Sequence, residues 1–331
     1  MAFEENEISK KSQGGTEQMK RGLAERLPEG LTNEFQIICS RVRDLDPEKI
    51  RVYWLHDLPE DPETNHLKDQ WSRSRFHKLV FCGQWQYQQY MTKLGVPYNT
   101  HATVIETAID PIPYVDKSKD EIRLIYTSTP QRGLNILIPV FEKLAEKYPN
   151  IHLDVFSSYK IYGWDDADKQ FEPLYERCRN HPQITYHGHQ PNEVVREALQ
   201  KAHIFAYPCT WTECNSRSLI EAMSAGCLAV HPNWGGLTDT SGGLTFQYHG
   251  SEDLNVHAQI FINALENAIN VVNKDEVQSY LKFVKSYADT RYNWTKITQQ
   301  WTELLKNLEL QFVDKGSRKI ISGPTFQYKT A

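Results

Sequence analysis

Long apolar runs are missing from this 331-residue chain: no stretch approaches the roughly 20 consecutive apolar residues that a membrane-spanning helix needs. A positive charge excess is missing too. Lys and Arg number 37 against 42 Asp and Glu, for a net charge of −5, whereas a nucleic-acid partner normally wants a basic face. The six cysteines (Cys39, Cys82, Cys178, Cys209, Cys214 and Cys227) contain no Cys-x-x-Cys pair. That excludes a zinc knuckle or a disulfide framework as the plain reading and favours reduced thiols in a cytoplasmic protein. The N-terminal residues Met1-Ala2-Phe3-Glu4-Glu5 lack the basic and apolar regions of a signal peptide. In residues 1–115 acids outnumber bases, which does not suit anionic lipid. At most a weak peripheral membrane contact is expected there, through a local basic patch of Lys68, Arg73, Arg75 and Lys78. No repeat of fixed period is present.

What is there is the composition of a globular protein, 40% hydrophobic, 24% charged and 11% aromatic, in a chain long enough for about two domains. Short apolar runs alternate with amphipathic helical stretches, the pattern of a doubly wound α/β fold. Phe35–Cys39, Arg51–Leu55 and Lys78–Cys82 predict buried strands. Helices are predicted over Gln18–Leu27 and Gln84–Leu94, the second stopped by Gly95 and Pro97. The prolines of Asp110-Pro111-Ile112-Pro113 and the charge run at 116–121 predict a hinge.

The series then restarts, with strands over Ile122–Tyr126, Ile151–Phe156, Ile184–Tyr186, Ile204–Tyr207 and Leu228–His231. Helices are expected over Leu134–Tyr148, Phe171–Cys178, from Asn192 onward, and over Ser216–Ala225. The segments Asp253–Val272 and Trp294–Leu308 read as mainly helical, and the last twenty or so residues as a polar tail. Trp71, Trp85, Tyr87 and Tyr90, at helical spacing, read as packing rather than as a sugar platform.

The strongest chemical signal is Glu213-Cys214-Asn215-Ser216-Arg217-Ser218-Leu219-Ile220-Glu221, followed by Ala222-Met223-Ser224-Ala225-Gly226. Strand, loop and helix start come in the order that places a ligand beyond the carboxyl end of a parallel sheet. Backbone N–H groups around Asn215 and Ser216 suit a pyrophosphate, helped by the helix dipole, and Glu221 suits the hydroxyls of a ribose. On the residues alone a blander reading stands beside this one. Glu221 then makes an i,i+4 contact or faces solvent, and Glu213 complements the helix dipole. His56, Asp57, Asp61 and His66 lie close in sequence but match no metal-binding spacing.

This segment resembles the EX7E motif of the family-4 retaining glycosyltransferases, which ends in Glu-Ala-Met-Ala-x-Gly. The likeness continues through His231-Pro232-Asn233-Trp234-Gly235-Gly236 and through Arg132-Gly133, which matches the family's Lys-Gly. It is loose over residues 1–115 and specific from about 122 to 240. The resemblance implies the GT-B fold: two Rossmann-like domains facing across a cleft. It also implies an N-terminal acceptor-side domain (1–115) and a C-terminal donor-binding domain (116–285). A final helix and tail (286–331) would return to the first domain, anchored by Trp294 and Trp301.

The activity implied is metal-independent, hexosyltransferase-like retaining transfer. The donor is a UDP-, GDP- or ADP-sugar, the acceptor a glycan precursor or small carbohydrate, and no cofactor is needed. The leaving phosphate takes the acceptor proton. By this likeness His56, Glu213 and Arg132 are catalytic. Gly14, Gly15, Thr127, Arg132, Gly188, Asn215, Ser216, Arg217 and Glu221 bind the donor, with Gly188 near the base.

The sequence departs from the family at three positions: Ser216 replaces a usual glycine, Asp239 a frequent glutamate, and Thr127 the family's phosphate-binding arginine. The string Tyr126–Gly133 then offers hydroxyls and one arginine for the diphosphate. Two alternatives stay open: a sugar-nucleotide epimerase or phosphorylase on the same fold, and a non-catalytic nucleotide-sugar-binding partner of another transferase.

Overall fold

A computed structural model describes residues 12–319; the acidic N-terminus and all but the start of the polar tail lie outside the described residues. The chain divides into two compact units, residues 1–108 with 294–331, and residues 109–293.

The first unit opens with helix α1 (Gly15–Arg26), three residues earlier than the apolar pattern suggested, because Gly14 already serves as its N-cap. Strands β1 (Phe35–Cys39) and β2 (Ile50–Leu55) follow. Next come one helical turn α2 (Gln70–Arg73), strand β3 (Lys78–Phe81), helix α3 (Gln84–Leu94) and strand β4 (Ala102–Val104). The four strands form a parallel sheet in the order β1-β2-β3-β4. Alternation along each strand fills both faces. Ile37, Val52 and Trp54 join one apolar cluster with Met19 and Leu23 of α1, while Ile38, Tyr53, Leu55 and Phe81 join another with Tyr87 and Tyr90 of α3. Gly95, left-handed at φ 66°, ends α3 by donating its N–H to the Met91 carbonyl.

Tyr87 and Tyr90 are core residues, whereas Trp71, expected as packing, is about half exposed. The basic residues 68–78 do not assemble as one open patch: Arg75 is buried, and Arg73 and Lys78 donate to backbone carbonyls.

The second unit runs β5 (Ile122–Thr127), α4 (Leu134–Ala145), β6 (Ile151–Phe156), α5 (Glu172–Asn180), β7 (Ile184–Tyr186), α6 (Asn192–Lys201), β8 (Ile204–Ala206), α7 (Arg217–Ser224) and β9 (Leu228–Pro232). It continues with α8 (Leu237–Ser241), β10 (Phe246–Tyr248), α9 (Leu254–Val271) and α10 (Asp275–Arg291). All six strands are parallel, in the order β10-β9-β8-β5-β6-β7. The chain therefore leaves β5 toward β6 and β7 on one side, then returns to place β8, β9 and β10 on the other. The switch falls between β5 and β8, where an open α/β sheet parts its loops and holds ligands. Helix α4 stops three residues short of the predicted Tyr148, which turns into β6 instead.

The last long helix among the described residues is α11 (Trp294–Gln311), a helix of the first unit. Trp294, Ile297, Trp301, Leu305 and Leu308, spaced along one face, are buried in the same cluster as α1 and β2. Trp294 fits closely because residue 22 is glycine: a Cβ there would lie 2.2 Å from the indole. Among the described residues, no helix is long and apolar enough to cross a membrane.

Candidate active site

The loops at the β5/β8 switch are locked to each other. After β5 the chain makes a single 3-10 turn, Pro130–Arg132, and Gly133 caps α4 with φ 114°. A Cβ at Gly133 would stand 2.1 Å from the Pro208 carbonyl oxygen, so only glycine lets the two loops meet. Thr210 donates its hydroxyl to the Gln131 carbonyl at 3.0 Å. This packing brings together two residues 81 positions apart: Arg132 Nη1 donates to Glu213 Oε1 at 2.6 Å. The Tyr207 hydroxyl donates to the same oxygen at 2.5 Å. Burial works against the charge of Arg132, but the Glu213 carboxylate outweighs it and holds the guanidinium firmly protonated.

The Gly235-Gly236 pair seats Glu213 from below. The Gly236 N–H donates to the Glu213 carbonyl at 2.7 Å, and a Cβ on Gly236 would come within 2.3 Å of the Cys214 carbonyl oxygen. Asn215 and Ser216, whose neighbouring N–H groups were expected to be free, are partly engaged. Thr240 Oγ1 accepts from both the Ser216 N–H and Asn215 Nδ2, each at 3.3 Å. That contact comes from α8 and leaves no mark in the local sequence. Neither α4 nor α7 has a side-chain N-cap; the Ser216 hydroxyl lies 3.3 Å from Ser218 Oγ rather than over the helix start.

Glu221 is buried on α7, at 4% exposure. Its Oε1 accepts from Arg217 Nη2 at 3.0 Å, the i,i+4 contact of the blander reading, and also from Asn192 Nδ2 at 3.2 Å and Arg196 Nη1 at 3.4 Å. Asn192 was read only as a helix start and Arg196 not at all; their i,i+4 spacing was the available signal of a shared partner. Burial among three donors, two of them cationic, makes Glu221 a fixed carboxylate rather than a solvent-facing one.

Several buried polar atoms at this end of the sheet make no hydrogen bond within the protein. They are Thr127 Oγ1, Thr129 Oγ1, Gln131 Oε1, Arg132 Nε, Ser157 Oγ, Asn215 Oδ1 and Arg217 Nε. Buried polar groups are nearly always paired, so a concentration of unpaired donors and acceptors after β5, β6 and β8 marks where a polar ligand fits. Gly188 lies elsewhere on the same sheet end, beyond β7. At φ 64° it lines a cavity of about 630 Å³.

The remaining expected residues belong to the first unit. His56 follows the last residue of β2, its ring centroid 4.6 Å from that of Trp54. Burial drives its pKa down to about 3, so His56 is neutral at pH 7, and its buried Nε2 has no protein partner. Gly14 caps α1 and Gly15 opens it, but a Cβ at Gly15 would meet nothing within 4 Å. The cluster weighed as a metal site is otherwise engaged: Asp61 receives a two-pronged bond from Arg41, and His66 Nδ1 pairs with Ser72 Oγ. Among the described residues no group of three metal-ligating side chains comes together.

Two all-parallel α/β sheets of this kind match the GT-B fold of solved glycosyltransferase structures. HepE of Anabaena, in complex with UDP and glucose, matches at TM-score 0.60 and 19% identity over 78% of this chain and 72% of its own. A glycosyltransferase from Rickettsia africae matches at TM-score 0.67 and 12% identity over 92% and 84%. The sucrose-phosphate synthase of Thermosynechococcus elongatus matches at 0.60 and 15% over 80% and 69%. At these identities the likeness carries the fold. In sequence, residues 114–243 match the family model for glycosyl transferases group 1, which supports a nucleotide-sugar glycosyltransferase. No curated protein matches the chain.

Proposed function

We propose that this protein is a retaining, metal-independent glycosyltransferase that moves a sugar from a nucleoside-diphosphate sugar to a carbohydrate acceptor. The observation that carries the proposal is the Arg132–Glu213 pair at the β5/β8 switch, beside two helix starts without side-chain caps and a set of unpaired buried hydroxyls. A diphosphate satisfies such a place: helix N-termini and a guanidinium supply positive potential, and hydroxyls supply directed donors.

In this reading Arg132 stabilises the charge that grows on the leaving diphosphate. Its Nη1 is committed to Glu213, but its Nε is unpaired. Thr127 and Thr129 take over, by hydroxyl, what a second cation does in the family. Glu213, held by Tyr207 and Arg132, presents its carboxylate to the transferred sugar, and Glu221, fixed by Arg217, Arg196 and Asn192, faces the ribose. The acceptor hydroxyl attacks the anomeric carbon on the side the diphosphate leaves, and its proton passes to the departing phosphate oxygen. From the first unit the resemblance contributes His56, Gly14 and Gly15; their parts are proposed on that likeness alone.

The test is donor breakdown without acceptor, following nucleoside diphosphate released from UDP-, GDP- and ADP-sugars in the presence of EDTA. One donor is expected to turn over, and Arg132→Ala to slow it roughly 100-fold, the usual cost of removing a preorganised donor to a developing anion. The alternative favoured by Thr127 and Ser216, a binder that serves another transferase, expects nucleotide binding with no release from any donor.

A further inference from the structure

The donor reading draws on the sheet end of the second unit, but the first unit has a built sheet end of its own. Beyond β1 the Arg41 N–H donates to the Cys39 carbonyl at 2.7 Å and closes a three-residue turn around Ser40. Ser40 holds φ at 62°, the rare and strained form of such a turn; among the described residues it is the one non-glycine with positive φ. Its neighbours enforce it. The Ser40 N–H donates to the Trp54 carbonyl at 3.0 Å, and the Ser40 carbonyl accepts from the Tyr53 hydroxyl at 2.8 Å. Strain held in this way collects where a side chain has to be aimed.

Beyond β2 stands Asp57. Ile38 and Leu55 both join the cluster on the α3 side of the sheet, and Ser40 and Asp57 each follow two residues later. Gln86, itself fully buried, donates to the Leu55 and Asp57 carbonyls at 3.2 and 2.8 Å, and the Tyr90 hydroxyl donates to the Asp57 carbonyl at 3.0 Å. The backbone is thus fixed, while Ser40 Oγ and Asp57 Oδ2 are buried atoms that make no hydrogen bond within the protein. Ser40 is only 7% exposed. Arg41 does not close a bond to Asp57: both its Nη atoms are committed to Asp61, at 2.9 and 3.0 Å, and Asp57 Oδ2 lies 3.7 Å away. The Asp57 side chain keeps 26% of its surface exposed, so a ligand has a way in.

The surroundings select the kind of ligand. Burial raises the pKa of Asp57, Arg41 draws it down, Asp61 raises it and the nearby Ser40 hydroxyl lowers it. Arg41 repels a cationic amine, whereas Asp61 and Glu63, whose charges also reach Asp57, repel a phosphate or a carboxylate. A neutral O–H donor satisfies Asp57, and the Ser40 hydroxyl both donates and accepts toward a second oxygen beside it. Neighbouring hydroxyls on a sugar ring have that form.

We propose that Ser40 and Asp57 form an acceptor subsite that holds two neighbouring hydroxyls of a neutral sugar. This rests on the glycosyltransferase reading above and adds to it a place and a chemistry for the second substrate.

The test follows nucleoside diphosphate released by the full-length protein from UDP-, GDP- and ADP-sugars, with and without glucose, galactose, mannose, N-acetylglucosamine, maltose or cellobiose. One of these sugars is expected to accelerate release. Ser40→Gly and Asp57→Asn should each raise the KM for that sugar about tenfold, the scale of one lost hydrogen bond in a charged setting, and keep the affinity for nucleotide and nucleotide sugar. Ser40→Gly also separates function from folding. Glycine adopts a positive φ without strain, so its melting temperature should not fall even as the acceptor weakens. Release that no sugar accelerates, or that responds with the same KM in both variants, overturns the subsite. Variants that weaken the nucleotide sugar but not the nucleotide assign the pair to the donor, and the acceptor assignment falls. Failure of the parent reading looks different: no nucleotide binds and no donor is broken down, whichever sugar is present.

Discussion

Gly236 has no room for a methyl group, because Glu213 and Cys214 run against its backbone, with the Cys214 carbonyl oxygen 2.3 Å from where a Cβ would stand. Gly15, the other end of the sequence motif set, has open space around the same position. The two glycines therefore make opposite predictions. Gly236→Ala should cost about 1–3 kcal/mol in stability, as overpacking does, and should abolish nucleotide binding by displacing Glu213. Gly15→Ala should leave stability within about 0.5 kcal/mol, as a surface change in a compatible conformation does. Urea melts of both variants check this, and equal losses would contradict it. His56 carries a lesson at the same scale. Its type and place at a strand end were legible in the sequence, but its protonation was not, because burial beside Trp54 sets that.

Helix α11 ties the chain's end into the first unit through Trp301, which is fully buried and meets Trp54 edge-on at 4.8 Å between centroids. Trp301→Ala is expected to destabilise by about 3–5 kcal/mol. Trp301→Phe should cost less, since the buried indole Nε1 has no hydrogen-bond partner to lose. A denaturant melt showing less than about 1 kcal/mol for the alanine variant would mean the helix is not part of that core. Elements of this kind were readable because their patterns are strong: the seven-residue tryptophan spacing, the apolar runs of β5 and β6, and the Gly95 and Pro97 stop of α3. Other elements were not, α10 and β4 among them. Helix α10 buries only Leu281, Val284 and Ala288 along a polar sequence, too thin a stripe to stand out. Strand β4 is three half-buried residues, and only its pairing with β3 defines it. The candidate site divides in the same way. The glutamates and glycines announced themselves through local motifs, whereas Tyr207, Asn192, Arg196 and Thr240 reach it from other elements through tertiary packing.

For the whole molecule, a net charge of −5 with an anionic ligand means that binding has to come from a local concentration of positive potential, not from the global field. The β5/β8 switch supplies it in one place, through Arg132 and the starts of α4 and α7. The most direct measurement is thermal stabilisation by UDP, GDP and ADP, and by their sugars, with wild type beside Glu221→Ala. A ligand that binds the folded state at 100 times its Kd raises stability by about 2.7 kcal/mol, so one cognate nucleotide should stand clear of the others. The account predicts that one base stabilises the wild type and that Glu221→Ala abolishes the shift. A wild type that no nucleotide stabilises, or a variant that keeps the full shift, would contradict it.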